Sequence, residues 1–144
     1  MRLTTQTDYA LRMLMFLAIN EGNQTIDDIA TAYGISKNHL MKVAQRLAAA
    51  GLIDSQRGRG GGLSLSSAPE DINVGHVVRL MEETSKFVEC QTGAANSCVI
   101  TPACGLVHIL SDALELFLSH LDRFALSDII KNRKGLEKIF SFSG

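Results

Sequence analysis

Apolar residues recur at helical spacing along most of the chain. Thr5-x-x-Asp8 has the form of a capping box, and Ala10, Leu11, Leu14, Met15, Leu17 and Ala18 follow on one helical face. This first helix should end near Asn20-Glu21-Gly22. Thr25-x-x-Asp28 repeats the signal and opens a short helix with Ile26, Ile29 and Ala30 inward. Gly34 breaks the chain after Tyr33. Ser36 is a good N-cap for a third helix, with Leu40, Val43, Leu47 and Ala50 on one face and Gly51 as its stop.

The period then changes. Leu52-Ile53-Asp54-Ser55 and Leu63-Ser64-Leu65-Ser66 alternate apolar with polar, as strands do. Between them, Gln56-Arg57-Gly58-Arg59-Gly60-Gly61-Gly62 reads as a basic hairpin tip. Ala68-Pro69-Glu70 ends the unit. Val74 to Glu83 predicts a fourth helix with Val74, Val77, Val78 and Met81 inward. Residues 84–104 show no clean period. The longest helix runs from Gly105 to Phe124, with Leu106, Leu110, Ala113, Phe117, Leu121 and Phe124 on a stripe widened by Ile109, Leu114 and Leu118. That stripe is broader than one small core needs, which predicts helix-to-helix dimerisation. Short helical pieces near 126–131 and 135–140 finish the chain. The fold expected is mainly α with a small β-hairpin: a winged helix-turn-helix over 1–68, then a cysteine-bearing loop and long dimerisation helix over 69–144.

Composition changes little in this picture. A chain of 144 residues, 46% hydrophobic and 20% charged, folds around a real core and is not disordered. Arg12 and Asn20 bound the longest apolar run, so no membrane span is expected. The first eight residues lack a secretory pattern, and a cytoplasmic protein is expected.

Charge matters more. The net charge is −1, yet residues 36–66 carry five basic residues against Asp54 alone. Residues 67–144 carry seven basic and ten acidic ones. A basic patch on a near-neutral chain is an electrostatic footprint for nucleic acid. In a helix-turn-helix the second helix enters the major groove with its N-terminal end against base edges. Here that end offers Ser36, Lys37, Asn38, His39, Met41 and Lys42. Asn can pair twice with adenine, and Lys reaches guanine or phosphate. Arg57 and Arg59 in the wing would reach the backbone or the minor groove. Each piece alone reads as plain amphipathic helix or solvated turn; together, in order, they predict binding to double-stranded DNA.

Cys90-x7-Cys98-x5-Cys104 places three thiols in one connection. An odd count argues against a disulfide framework. Thiolates select zinc, copper(I) or iron–sulfur centres. Paired C-x2-C knuckles are missing, and three cysteines leave a cubane cluster one ligand short. His108, Glu89, Asp8, a water or a small thiol would each complete it. Plain burial of small thiols without metal is the bland alternative. No Ser/His/Asp or paired-carboxylate arrangement stands out, and Gly60-Gly61-Gly62 lacks the ending of a phosphate loop, so no enzyme is expected.

Met1-Arg2-Leu3-Thr4, Asp8-Tyr9-Ala10-Leu11-Arg12, Gly34-Ile35-Ser36, the wing Arg57–Gly62 and the three cysteines together resemble the Rrf-type family of winged-helix iron–sulfur repressors. Asn38-His39-Leu40, Ile100-Thr101-Pro102-Ala103-Cys104 and the stretch from Leu121 to Asp128 are similar to its nitric-oxide-sensing branch. The resemblance spans about residues 1–140. It implies a homodimer through the long helix and a palindromic operator. It implies a 4Fe–4S cluster on Cys90, Cys98 and Cys104, with a 2Fe–2S cluster or zinc as alternatives. Asp8 of the partner subunit would be the fourth ligand, with nitric oxide as the signal. The first cysteine gap is longer than usual in that branch, which bears on loop geometry. In the iron–sulfur-biogenesis branch, the runner-up, the ligand histidine falls at the position of Val107 here. Two rivals from other classes are a small iron–sulfur electron carrier, which leaves the wing without purpose, and a zinc-stabilised DNA-binding module.

Overall fold

A computed structural model describes residues 2–82, 88–91, 93 and 96–141. The helices are α1 (Thr5–Ile19), α2 (Ile26–Tyr33), α3 (Lys37–Ala49), α4 (Val74–Met81), α5 (Leu106–Leu121), α6 (Leu126–Ile129) and α7 (Arg133–Ser141). Strands β1 (Ile53–Gln56) and β2 (Gly62–Leu65) form an antiparallel hairpin with Ile53 opposite Leu65 and Gln56 opposite Gly62. This is the mainly helical, winged helix-turn-helix fold that the pattern predicts.

The first cap differs from expectation. The N-cap of α1 is Thr4, whose side chain accepts from the Thr7 N–H, so Thr5 lies inside the helix and Asp8 caps nothing. Two adjacent threonines compete for the cap. The one-residue shift buries Thr7, while Asp8 pairs with Arg12 one turn on at 2.8 Å. The other two caps stand as expected. Thr25 and Asp28 form a reciprocal capping box on α2, and the Ser36 hydroxyl accepts from the His39 N–H on α3.

The core is built where α1 meets α3 and α4. Met13 and Leu14 of α1, Ile29 of α2, Leu40, Val43 and Leu47 of α3 and Val77 of α4 are fully or almost fully buried. Ile72 and Leu126 join the same cluster, so α6 closes the bottom of the helix-turn-helix rather than standing apart. The wing is fixed at its root. Gln24, in the α1–α2 connection, exchanges both backbone hydrogen bonds with Leu63. Asn23 Nδ2 donates to Gln56 Oε1 and to the Gly60 carbonyl, both at 3.2 Å. The tip's glycines serve the turn itself, because a Cβ on Gly61 would lie 2.3 Å from the Gln56 carbonyl oxygen.

Several boundaries fall short of the periodicity. The fourth helix stops at Met81, and Glu82 is its cap. The long helix spans Leu106–Leu121, with Gly105 before it, and the strands sit one residue from their expected places. Between α4 and α5 the described residues form two short 3₁₀ turns, Glu89–Gln91 and Thr101–Ala103. Residues 83–87, 92, 94 and 95, within the expected loop, lie outside the described residues, as does the Glu89 side chain. Among the described residues no helix is long and apolar enough to cross a membrane.

Candidate nucleic-acid interface and cysteine connection

Burying Leu40, Val43, Ala44 and Leu47 turns the opposite face of α3 to solvent. Lys37, Asn38, His39 and Lys42 are all exposed there, beside Met41. Ser36 is exposed too, but its hydroxyl is already used at the cap, 3.4 Å from the His39 nitrogen. Lys37 is held by Asp27 of α2 at 2.6 Å, an ion pair between two exposed side chains. Contact with a phosphate would have to replace that pair. Among the described residues no carboxylate pairs with Lys42, Arg57 or Arg59. Within the basic stretch 36–66 these three are the positive charges left available for nucleic acid.

Arg46, counted in the basic patch by sequence, is committed elsewhere. Its guanidinium donates to the Leu80 carbonyl at 2.5 Å, to the Met81 carbonyl at 3.4 Å and to Gln6 Oε1 at 3.0 Å. No sequence signal distinguishes this arginine from a surface one, because its partners are carbonyls at the end of a distant helix. His39 lies beside Tyr9, with ring centroids 6.3 Å apart. A shallow cleft of about 330 Å³ between α1 and α3 is lined by Thr5, Gln6, Tyr9, His39 and Lys42.

The turn of the helix-turn-helix is braced by Tyr33. Its hydroxyl donates to the Arg12 carbonyl at 3.0 Å, and the Arg12 guanidinium lies 5.9 Å above its ring. Burial pushes the Tyr33 phenol up to about 12. Phe140 of α7 packs on both Phe16 and Tyr33, which ties the last helix to this brace.

Cys90, Cys98 and Cys104 are free thiols, each partly exposed. Side chains of the connection shape the segment around Cys98. The Cys98 N–H donates to Asn96 Oδ1 at 3.0 Å, and the Thr101 hydroxyl donates to the Cys98 carbonyl at 2.9 Å. Asn96 Nδ2 donates to the Thr101 hydroxyl at 3.0 Å. Gln91 Nε2 donates to the Ser111 hydroxyl of α5 at 2.9 Å, fastening the segment to the long helix.

Three thiols in one connection are the donor set that suits an iron–sulfur centre in chemistry. The single chain does not gather them: among the described residues, no three His, Cys, Asp or Glu side chains lie together as a metal site. Asp8 lies on the opposite side of the sequence, on α1, where its carboxylate is about half exposed and bound to Arg12. His108 is exposed on α5, as expected of a helix-face residue.

The long helix is poorly covered within one chain. Of its sixteen residues only Leu118 is buried. Leu106, Ile109 and Leu116 are 55%, 65% and 73% exposed. With Ala113 they fall at alternating spacings of three and four, the seam spacing of packed helix pairs. Leu116 was outside the stripe read from sequence. At the far end, Asp122 makes a paired contact with Arg79 of α4, and Gly75 packs directly under it. That contact holds the Asp122 carboxyl below the usual range.

Comparison with known proteins agrees with this architecture. Residues 3–132 match the Rrf2 family, described as an iron-dependent transcriptional regulator. The HTH-type transcriptional regulator NsrR of Bacillus licheniformis is 47% identical over 143 residues, covering 98% of this chain and all of the relative. That of Bacillus subtilis is 48% identical over 141 residues, covering 96% and 97%. Among solved structures, an IscR from T. potens superposes with a TM-score of 0.71 at 26% identity, covering 92% of this chain and 88% of that one. CymR, the global cysteine regulator of B. subtilis, superposes with a TM-score of 0.67 at 26% identity, covering 92% and 98%.

Proposed function

The chain belongs to the Rrf2 family of transcriptional regulators, and from that premise we propose that it is a homodimeric repressor that releases a palindromic operator when nitric oxide reaches an iron–sulfur centre. It is a DNA-binding regulator and not an enzyme. The observation that carries the reading is the pairing of an exposed, capped reading helix with a three-thiol connection on one small core. An electron carrier would have no use for the first, and a plain DNA-binding module none for the second.

In this reading residues 1–68 form the reading head and 69–144 the sensor and dimerisation segment, acting in the cytoplasm. Asn38, His39 and Lys42 read bases, while Ser36 sets the start of the helix and Lys37 trades Asp27 for phosphate. Arg57 and Arg59 follow the backbone or the minor groove beside the site. Cys90, Cys98 and Cys104 would hold a 4Fe–4S cluster, with Asp8 of the partner subunit as fourth ligand. When bound, such a cluster supplies iron that reacts with nitric oxide. The carboxylate is a hard, weak ligand for it and would leave one iron accessible.

The exposed seam of α5 supports the dimer, since a single chain leaves it in water. The cap at Thr4 supports the role of Asp8, because it frees that carboxylate from capping. Among the described residues the Asp8 carboxylate then has Arg12 as its partner, and it carries the coupling: a residue of α1 bound to the partner's connection fixes the helix on which α3 packs.

The test is an absorption spectrum of protein purified without oxygen, before and after nitric oxide, with a DNA-shift assay on both samples. A brown protein that bleaches and releases DNA is expected, and Asp8→Ala should keep the thiol-bound iron while changing the DNA response. A colourless protein that still binds DNA points to zinc or no metal and removes the sensor half of the proposal.

A further inference from the structure

The end of α4 is held from two sides just before the chain enters the cysteine connection. Glu82 Oε1 accepts from the Thr4 N–H at 2.6 Å and from the Thr7 hydroxyl at 2.5 Å, both in the first turn of α1. Thr7 has no exposed surface, so this carboxylate satisfies a hydroxyl that water does not reach. Arg46 of α3 caps the last carbonyls of the same helix, Leu80 and Met81, and also holds Gln6 of α1. A helix end leaves such carbonyls unsatisfied, and a cation there is favoured. Here the cation comes from the reading helix.

We infer that Glu82 and Arg46 are positioning residues that fasten the stem of the cysteine connection to both α1 and the reading helix of the same chain, and so transmit the state of the thiols to DNA affinity. The inference rests on the sensor reading above and deepens it. Cys90 follows Glu82 by eight positions, so the α4 end is the helix that precedes the thiols, as α5, joined through Gln91 and Ser111, is the one that follows them. Met81 of that end also lies in the core shared with Val43 and Leu47, and Arg46 and the Thr4–Thr7 turn add the polar contacts that tie it to α3 and α1. Asp8 is the next residue after Thr7, so one turn of α1 carries the contact to its own connection and the residue offered to the partner's. Neither Glu82 nor Arg46 needs to touch metal or DNA to act this way. The device requires that the connection adopt two arrangements that the clamp feels differently.

The experiment compares DNA affinity of the full-length protein loaded with iron and sulfide against the same protein stripped by chelator. In Glu82→Ala, at wild-type iron and sulfide content, the ratio between the two affinities should fall about fivefold or more. Stripped Glu82→Ala should bind DNA as stripped wild type does, which shows the reading head intact. Glu82→Gln keeps a carbonyl acceptor for both Thr4 and Thr7 and should restore the ratio. Arg46→Met, which keeps the apolar stem and loses the carbonyl cap, is the second variant should Glu82→Ala fold poorly. An unchanged ratio in both overturns the inference. If wild type holds no iron, or binds DNA alike with and without it, the sensor reading fails on its own. The clamp is then judged by hydrogen exchange after alkylating the cysteines with N-ethylmaleimide. Alkylation should alter exchange in α3 of wild type and leave it unaltered in Glu82→Ala; no change in wild type, or the same change in both, overturns it.

Discussion

The five basic residues between 36 and 66 look equivalent in the sequence and are not equivalent in the fold. Lys37 neutralises Asp27, and Arg46 caps α4. Of these five, Lys42, Arg57 and Arg59 have no carboxylate partner among the described residues. A positive side chain without an internal partner breaks no ion pair when it meets phosphate, whereas Lys37 must first give one up. Lys42→Ala is therefore expected to weaken operator binding more than Lys37→Ala. If Lys42 meets phosphate, the loss is even across sequences and the salt slope falls by about one. If it meets a base, the loss is concentrated on the operator and sequence preference relaxes at one position by about 1–3 kcal/mol. Fluorescence anisotropy over a salt series, with operator and scrambled DNA, separates these; equal binding by Lys42→Ala and wild type on both would remove Lys42 from the interface.

At the scale of elements, most of what was legible came from caps and periods. Thr25-x-x-Asp28 and Ser36 announced α2 and α3 correctly because each side chain has one backbone partner within reach. The same signal misplaced the first cap by a residue, because Thr4 and Thr5 carry the same chemistry and contacts from far along the chain, the burial of Thr7 and its bond to Glu82, accompany the Thr4 cap. Long-range contacts were not legible. Glu82, Arg46 and the Arg79–Asp122 pair join elements whose sequence separation hides them. The α2 cap makes a test at this scale. Thr25 donates to Asp28 from its hydroxyl at 2.7 Å and from its N–H at 2.8 Å, which lowers the Asp28 carboxyl below its ordinary value. A depressed carboxylate contributes stability that is fully present above the unfolded value, about 3.9, and is lost as pH falls from there through the lower folded value. Thr25→Ala should cost about 1 kcal/mol near neutrality. It should also flatten the fall in Tm between about pH 5 and pH 3, since Asp28 then loses its hydroxyl donor. Thermal melts across that range check both; parallel curves for the two proteins would show that the cap does not govern the acid limb.

The whole molecule is shaped by a helix that one chain cannot cover. α1 to α4 and the hairpin share a single core, and α6 and α7 return to it through Leu126 and Phe140. α5 meets that body mainly through α4 and leaves Leu106, Ile109, Ala113 and Leu116 on its outer side. Apolar side chains at that spacing gain little by folding alone and gain a packed seam by pairing with a second copy. A two-fold seam also explains how heads of one kind would face the two halves of a palindrome. Leu116 is the most exposed of the three large side chains in the set, so the fold of the single chain does not depend on it. Leu116→Glu should therefore leave the monomer folded, with a melting curve close to wild type. It should convert the proposed dimer to monomer in sedimentation velocity, because two carboxylates would meet across the axis with no partner. Operator affinity should then fall much further than affinity for a half-site, since each head would bind without the other's effective concentration. A Leu116→Glu protein that sediments as wild type would remove Leu116 from the proposed seam. The breadth of the α5 stripe, the earliest sign of assembly in the sequence, would then need another partner.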